Sequence, residues 1–118
     1  MKKLFLFCLA LVLVTFNIYS TIKNVPAQYA TIQGAINASV NGDTILVAQG
    51  TYLENINFRG KKIVLTSEYY ITLNTATIYA TIIDGNSPLS PDTGSCVIIN
   101  NGEDSTTVLQ GFAITRGN

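Results

Sequence analysis

"GDTILVAQGTYLENINFRGKKIVLTS", Gly42–Ser67, is the stretch on which the reading of the whole chain turns. It holds three short β-type runs, Thr44–Val47, Glu54–Phe58 and Lys62–Thr66, with Gly-centred corners between them and no spacer of helical length. Compact triplets such as "ILV" and "IVL" lack the long apolar/polar alternation of hairpin-built sandwiches. Asn41-Gly42, Asp84-Gly85 and Asn101-Gly102 each accompany one short run and never join two long alternating strands. A chain that turns this often lays each strand beside its equivalent from the previous turn. The strands are then parallel and about 4.8 Å apart along one axis. The expectation is a mainly β fold, a parallel β-helix assembled from neighbour contacts.

Working outward, "TII" at Thr81, "VII" at Val97 and the run from Val108 to Ile114 repeat the pattern. Ile45, Ile63 and Thr81 begin three of the clusters and are spaced 18 residues apart. Glycines at 42, 50, 60, 85, 94, 102, 111 and 117 punctuate the intervals, where corners call for positive φ. On the N-terminal side, Val25 to Tyr29 reads as extended because of Pro26. Ile32, Ala35, Ile36 and Val40 then fall at helical spacing. With Thr31 as N-cap and Gly42 as stop, Thr31–Val40 is predicted to be a short amphipathic helix. Its apolar face would plug the open first rung, whose strand edges would otherwise invite aggregation. At the other end, Phe112 and Ile114 are expected to point inward and to need a further rung above them. The 118 residues therefore read as an N-terminal fragment whose partners include downstream rungs of the same chain.

Residues 1–20 differ in kind. Lys2 and Lys3 precede an apolar run of eleven residues, Leu4–Val14, and a more polar Thr15–Ser20. This is the pattern of a secretory signal peptide, too short to span a bilayer comfortably; the expected cut follows Ser20, and an uncleaved N-terminal anchor is the alternative. Export would leave five basic and seven acidic residues and one cysteine, Cys96, so no internal disulfide. The expected division is 1–20 signal peptide, 21–42 extended segment and capping helix, 43–118 first rungs. Seven basic residues balance seven acidic ones and histidine is absent. No basic surplus exists for nucleic acid, and the usual general base and metal ligand is missing.

The segments "VPAQYATIQGAINASVNGDTILVAQGTYLENINFRGKKIVLTS", "TIIDGN" and "NNGEDSTTVLQGFAITRGN" resemble the N-terminal part of secreted bacterial right-handed parallel β-helix proteins of the pectate-lyase-like superfamily. The resemblance runs from Val25 to the last residue and implies a right-handed coil. Pectin methylesterases look similar over "TIQ…AI…GTY.E", but their catalytic aspartates lie in later rungs. Pectate lyases place a calcium cluster and a basic residue on middle rungs. No functional residue of either carries over to a position here. Three readings stay open: a secreted or cell-surface segment in contact with carbohydrate or a surface, the start of a polysaccharide lyase or esterase, and an adhesin stalk. No catalytic residue, cofactor or metal ligand is assigned.

Asp84 ends a strand and suits a turn cap, although an Arg beside it on one face, such as Arg116, would suit a sugar acid. Arg116 is expected to point outward. Glu54 suits a backbone hydrogen bond at a turn. Lys61 and Lys62 read as a solvated corner. Glu103-Asp104 could form a cation loop but lacks EF-hand spacing. Cys96 reads as a buried small hydrophobe. Tyr69, Tyr70 and Tyr79 lie in the irregular "SEYYITLNTATIYA", expected to be a loop between rungs where exposed aromatics could stack on sugar rings.

Overall fold

The computed structural model describes residues 19–86 and 94–117. The apolar leader and Cys8 lie outside the described residues. Strands in chain order are β1 (Ile22–Val25), β2 (Thr44–Val47), β3 (Gly50–Leu53), β4 (Ile56–Asn57), β5 (Val64–Ser67), β6 (Thr81–Asp84), β7 (Val97–Ile98), β8 (Val108–Gln110) and β9 (Ala113–Thr115). All of their pairings are parallel. They form a sheet ordered β1-β2-β5-β8, a second ordered β3-β6-β9, and a third pair β4-β7. Following the chain from β2, it visits the first, second and third sheets in turn, and does so again from β5.

Alternation along each strand divides core from surface. Ile45 and Val47 on β2 are fully buried while Thr44 and Leu46 are half-exposed. Register then stacks like on like: Lys23, Ile45, Leu65 and Leu109 form one column. Phe58, Ile56, Ile63 and Ile83 complete the core from the other walls. Each such side chain contributes roughly 1.5–3 kcal/mol by leaving water. Lys23 opens its column, laying its stem toward Ile45 and turning its ammonium to Asp43 at 2.8 Å.

The 18-residue spacing is not the register. Ile45 pairs with Leu65, not Ile63, and Thr81 pairs with Gly50 in a different sheet. Compact apolar triplets mark where a strand falls, but not which residues pair, since Ile45 meets Leu65 across 20 positions. The Lys62–Thr66 run moves to Val64–Ser67, the Glu54–Phe58 run shrinks to Ile56–Asn57, and Gly50–Leu53, read as a corner, is a strand. Val25 ends β1, and the chain turns at residues 26–28 instead of continuing extended to Tyr29.

Helix α1 spans Ile32–Ala38. Thr31 is its N-cap, with Oγ1 accepting from the Gly34 N–H at 3.0 Å. The helix stops at Ser39, before the expected Val40, and Ser39 turns its hydroxyl back onto the Ala35 carbonyl at 2.7 Å. Ile32, Ala35 and Ile36 are buried as expected, but Val40 is 62% exposed. Its backbone N–H is held by Asp43 at 2.9 Å, which swings the side chain off the helix face.

The segment expected to be an irregular loop is helical. Two short helical turns, α2 (Tyr69–Thr72) and α3 (Thr75–Ala80), stand between β5 and β6. Leu73 adopts φ +53° between them, and the Asn74 side chain caps α3 through the Ala76 N–H. The following turn passes close beneath: a Cβ on Gly111, at φ +81°, would lie 2.3 Å from Ser67 Oγ. Only glycine fits there.

Candidate functional site

Asp84 and Arg116 meet, as the juxtaposition raised from the sequence requires. β6–β9 register sets Asp84 beside Thr115, and the next residue, Arg116, curls back at φ +55°. Its Nε donates to both carboxylate oxygens at 3.0 and 3.1 Å, and Nη2 closes the fork on Oδ2. The Asn86 N–H adds a third donor at 3.0 Å. Arg116, the Asn86 N–H and the guanidinium charge together hold the Asp84 carboxyl below its usual range. Both oxygens are engaged, so Asp84 is an anchored turn residue with no free lone pair aimed at a ligand. Arg116 is 60% exposed on its side chain and points outward as expected.

Glu54 and Lys61 clamp α1 at its two ends. Glu54 accepts from the Ile32 and Gln33 N–H groups, both at 2.9 Å, placing a carboxylate at the helix N-terminus. Lys61 Nζ donates to the Ile36 and Asn37 carbonyls at 2.7 and 2.8 Å, so Lys61 is not a solvated corner residue. Between them, the Gln33 amide accepts from Asn57 N–H at 2.8 Å and donates to Asn57 C=O at 3.1 Å. It replaces a peptide group along the outer edge of β4.

Asp43 is the most enclosed carboxylate among the described residues. It accepts from Thr21 N–H at 3.1 Å, Thr21 Oγ1 at 3.0 Å, Lys23 Nζ at 2.8 Å and Val40 N–H at 2.9 Å. Burial pushes its pKa up, but Lys23 and the Val40 and Thr21 donors outweigh burial and leave it far below the usual carboxylate range. Sequence reasoning passed over Asp43. The only available signal was its place between the helix and the first apolar triplet.

The Glu103 and Asp104 carboxylates are engaged by donors of their own turn and of the Gly60–Lys62 corner. Glu103 accepts from Gly60 and Asn101 N–H groups at 2.9 and 2.6 Å. Asp104 is held at about 2 by the Thr106 hydroxyl and N–H and by Lys62. Among the described residues no group of three or more His, Cys, Asp or Glu could hold a metal ion. Cys96 is buried, with its thiol pushed up by burial and donating to the Ile83 carbonyl at 3.5 Å.

The insert is where chemistry-bearing side chains face water. Tyr70 is 61% and Tyr79 76% exposed, while Tyr69 is half-buried against the base. Ile71 and Leu73 are also exposed. Exposed Thr72, Asn74 and Thr75 supply hydroxyl and amide groups around them. The insert is rooted by Thr77, buried at its foot, which bonds Thr72 Oγ1 at 3.3 Å and accepts from Thr81 Oγ1 at 2.8 Å. Glu68 is its only charged residue, and the sequence has no Lys or Arg between Lys62 and Arg116. Among the described residues no helix is long and apolar enough to cross a membrane. No family model, curated protein or solved structure matches the chain.

Proposed function

We propose that the chain is the N-terminal part of an exported, secreted or cell-surface protein built as a right-handed parallel β-helix, and that it presents its α2–α3 insert to a neutral glycan. The fold half of this reading rests on the order of visits: β2, β3, β4, then β5, β6, β7, then β8, β9, each pairing in parallel with its predecessor. Right-handed crossover is the overwhelming preference for parallel strands so connected. The functional half is carried by one observation, the exposed Tyr70 and Tyr79 on a hydroxyl-rich protrusion that carries no cation. Tyrosine offers an apolar ring for sugar C–H faces and a polar tip that tolerates water. With no cation on the insert, uronates and phosphates gain nothing there.

The test is retention on insoluble neutral polysaccharides compared with immobilised polygalacturonate. Retention on a neutral matrix, lost in Tyr70→Ala/Tyr79→Ala with circular dichroism unchanged, is the expected outcome. Retention on polygalacturonate alone, or a double variant that binds like the parent, refutes the glycan reading.

A further inference from the structure

Thr21 is held by its backbone, whereas Ser20 before it reaches the fold through its hydroxyl on the Gly42 carbonyl. The Thr21 carbonyl accepts from Thr44 N–H at 2.9 Å, and the Thr21 N–H points at Asp43 Oδ1 at 3.1 Å. Tyr19 and Ser20, just before it, are exposed. The leader pattern independently places the processing cut between Ser20 and Thr21. Hydrolysis there adds water across the peptide bond. The acyl carbon leaves with the leader as a carboxylate, and the nitrogen stays on Thr21 and takes up a proton as an α-ammonium.

We propose that this new α-ammonium docks on the buried Asp43 carboxylate and locks the first turn of the chain, so that processing itself strengthens the fold. The proposal rests on the export reading above for the origin of the free amine. A neutral amide donor becomes a charged one without moving, and charge-assisted hydrogen bonds are roughly twice as strong. Asp43 ties three elements together: β1 through Lys23, the end of α1 through the Val40 N–H, and β2, which follows it. The two carboxylate oxygens divide the work. Oδ1 faces Thr21, and Oδ2 faces Lys23 Nζ at 2.8 Å. Lys23 is the like charge that opposes the newcomer, also touching Thr21 Oγ1 at 2.9 Å. From the β4–β5 corner, Lys61 is spent on the α1 carbonyls and Lys62 on Asp104.

The lock has a pH signature. A docked α-amine has its folded pKa raised above the unfolded value of about 7.7–8.0. Its contribution is complete below that value and is lost as pH rises through the folded one. Few other groups confuse this window. The chain has no histidine, and the Cys96 thiol is pushed up by burial.

The chain beginning at Thr21 is prepared with a free and with an acetylated α-amine, and urea unfolding is followed between about pH 6 and pH 10. The free form is expected to unfold with an equilibrium constant about fivefold smaller at the acid end. That gap should close as pH rises and be absent in Asp43→Asn. Equal midpoints, a gap that ignores pH, or one that survives Asp43→Asn overturns the lock. N-terminal sequencing of the exported protein reports the cut separately. Thr21 as first residue supports the maturation step, and any other first residue overturns it, while the acetylation comparison alone decides the docking.

Discussion

Two residues carry more of the fold than their size suggests. Asp43 has a depressed folded pKa, so its contribution is present above the unfolded carboxylate value of about 3.9 and is lost as pH falls below it. Urea midpoints measured down the acid limb should fall for the parent and change less for Asp43→Asn. Lys23→Met, which leaves the buried carboxylate without its ammonium, should cost about 3 kcal/mol or more; a loss no larger than that of an exposed lysine would show that the donors from Thr21 and Val40 suffice. Gly111 and Gly102 form a matched pair, at φ +81° and +87°. Alanine at Gly102 meets open space and should cost about 1 kcal/mol through backbone strain alone. Alanine at Gly111 meets Ser67 Oγ as well and should cost clearly more by the same denaturation measurement. Gly111 was legible as a corner from sequence. Its close approach to Ser67 was not, because that depends on which turn lies beneath.

At the scale of the element, α1 illustrates what a local pattern can and cannot reveal. Thr31 and the spacing of Ile32, Ala35 and Ile36 were readable, since an N-cap and a 3.6-residue period are local properties. The end was misread because Val40 is apolar, and only Asp43, reaching back for its N–H, turns it outward. The clamps at Glu54 and Lys61 were likewise hidden, being more than twenty residues away in sequence. Ile36→Asp should unfold the protein or lower its thermal midpoint sharply, because an unpaired carboxylate would enter a fully buried site. Asn37→Asp, on the exposed side, should barely shift it. Equal shifts would remove α1 from the core. Gln33→Ala leaves the Asn57 N–H and C=O without their partner and should cost about 1–3 kcal/mol. It should also raise self-association in size-exclusion chromatography, since the β4 edge is then open to another chain.

For the whole molecule, parallel strands in short turns were legible because glycine corners and apolar triplets recur. The register was not, because turn length varies: β2 meets β5 across 20 residues, and α2 and α3 lengthen only the turn that follows. The insert resisted reading as helix: "YYITLNTATIYA" is rich in β-branched and aromatic residues, and its two turns are held by the Asn74 cap and the Thr72–Thr77 contact instead of by propensity. The β2–β3 and β8–β9 connections make the same corner with Ala48-Gln49 and Gly111-Phe112. Replacing residues 68–80 by a two-residue corner should therefore leave parallel pairing intact by circular dichroism while removing the proposed glycan retention; collapse of the β signal would make the insert part of the core. Val64 finds Val108 across 44 positions, whereas Thr44 finds Val64 across 20. Loop-closure entropy grows only with the logarithm of length, so the longer excursion costs about 0.7 kcal/mol more. Evolution can thus lengthen one turn and hang new chemistry on it while the neighbouring strands keep their alignment. The penalty is kinetic: pairings this distant must wait for slow chain encounters, and every added excursion makes the molecule slower to fold far more than it makes it weaker.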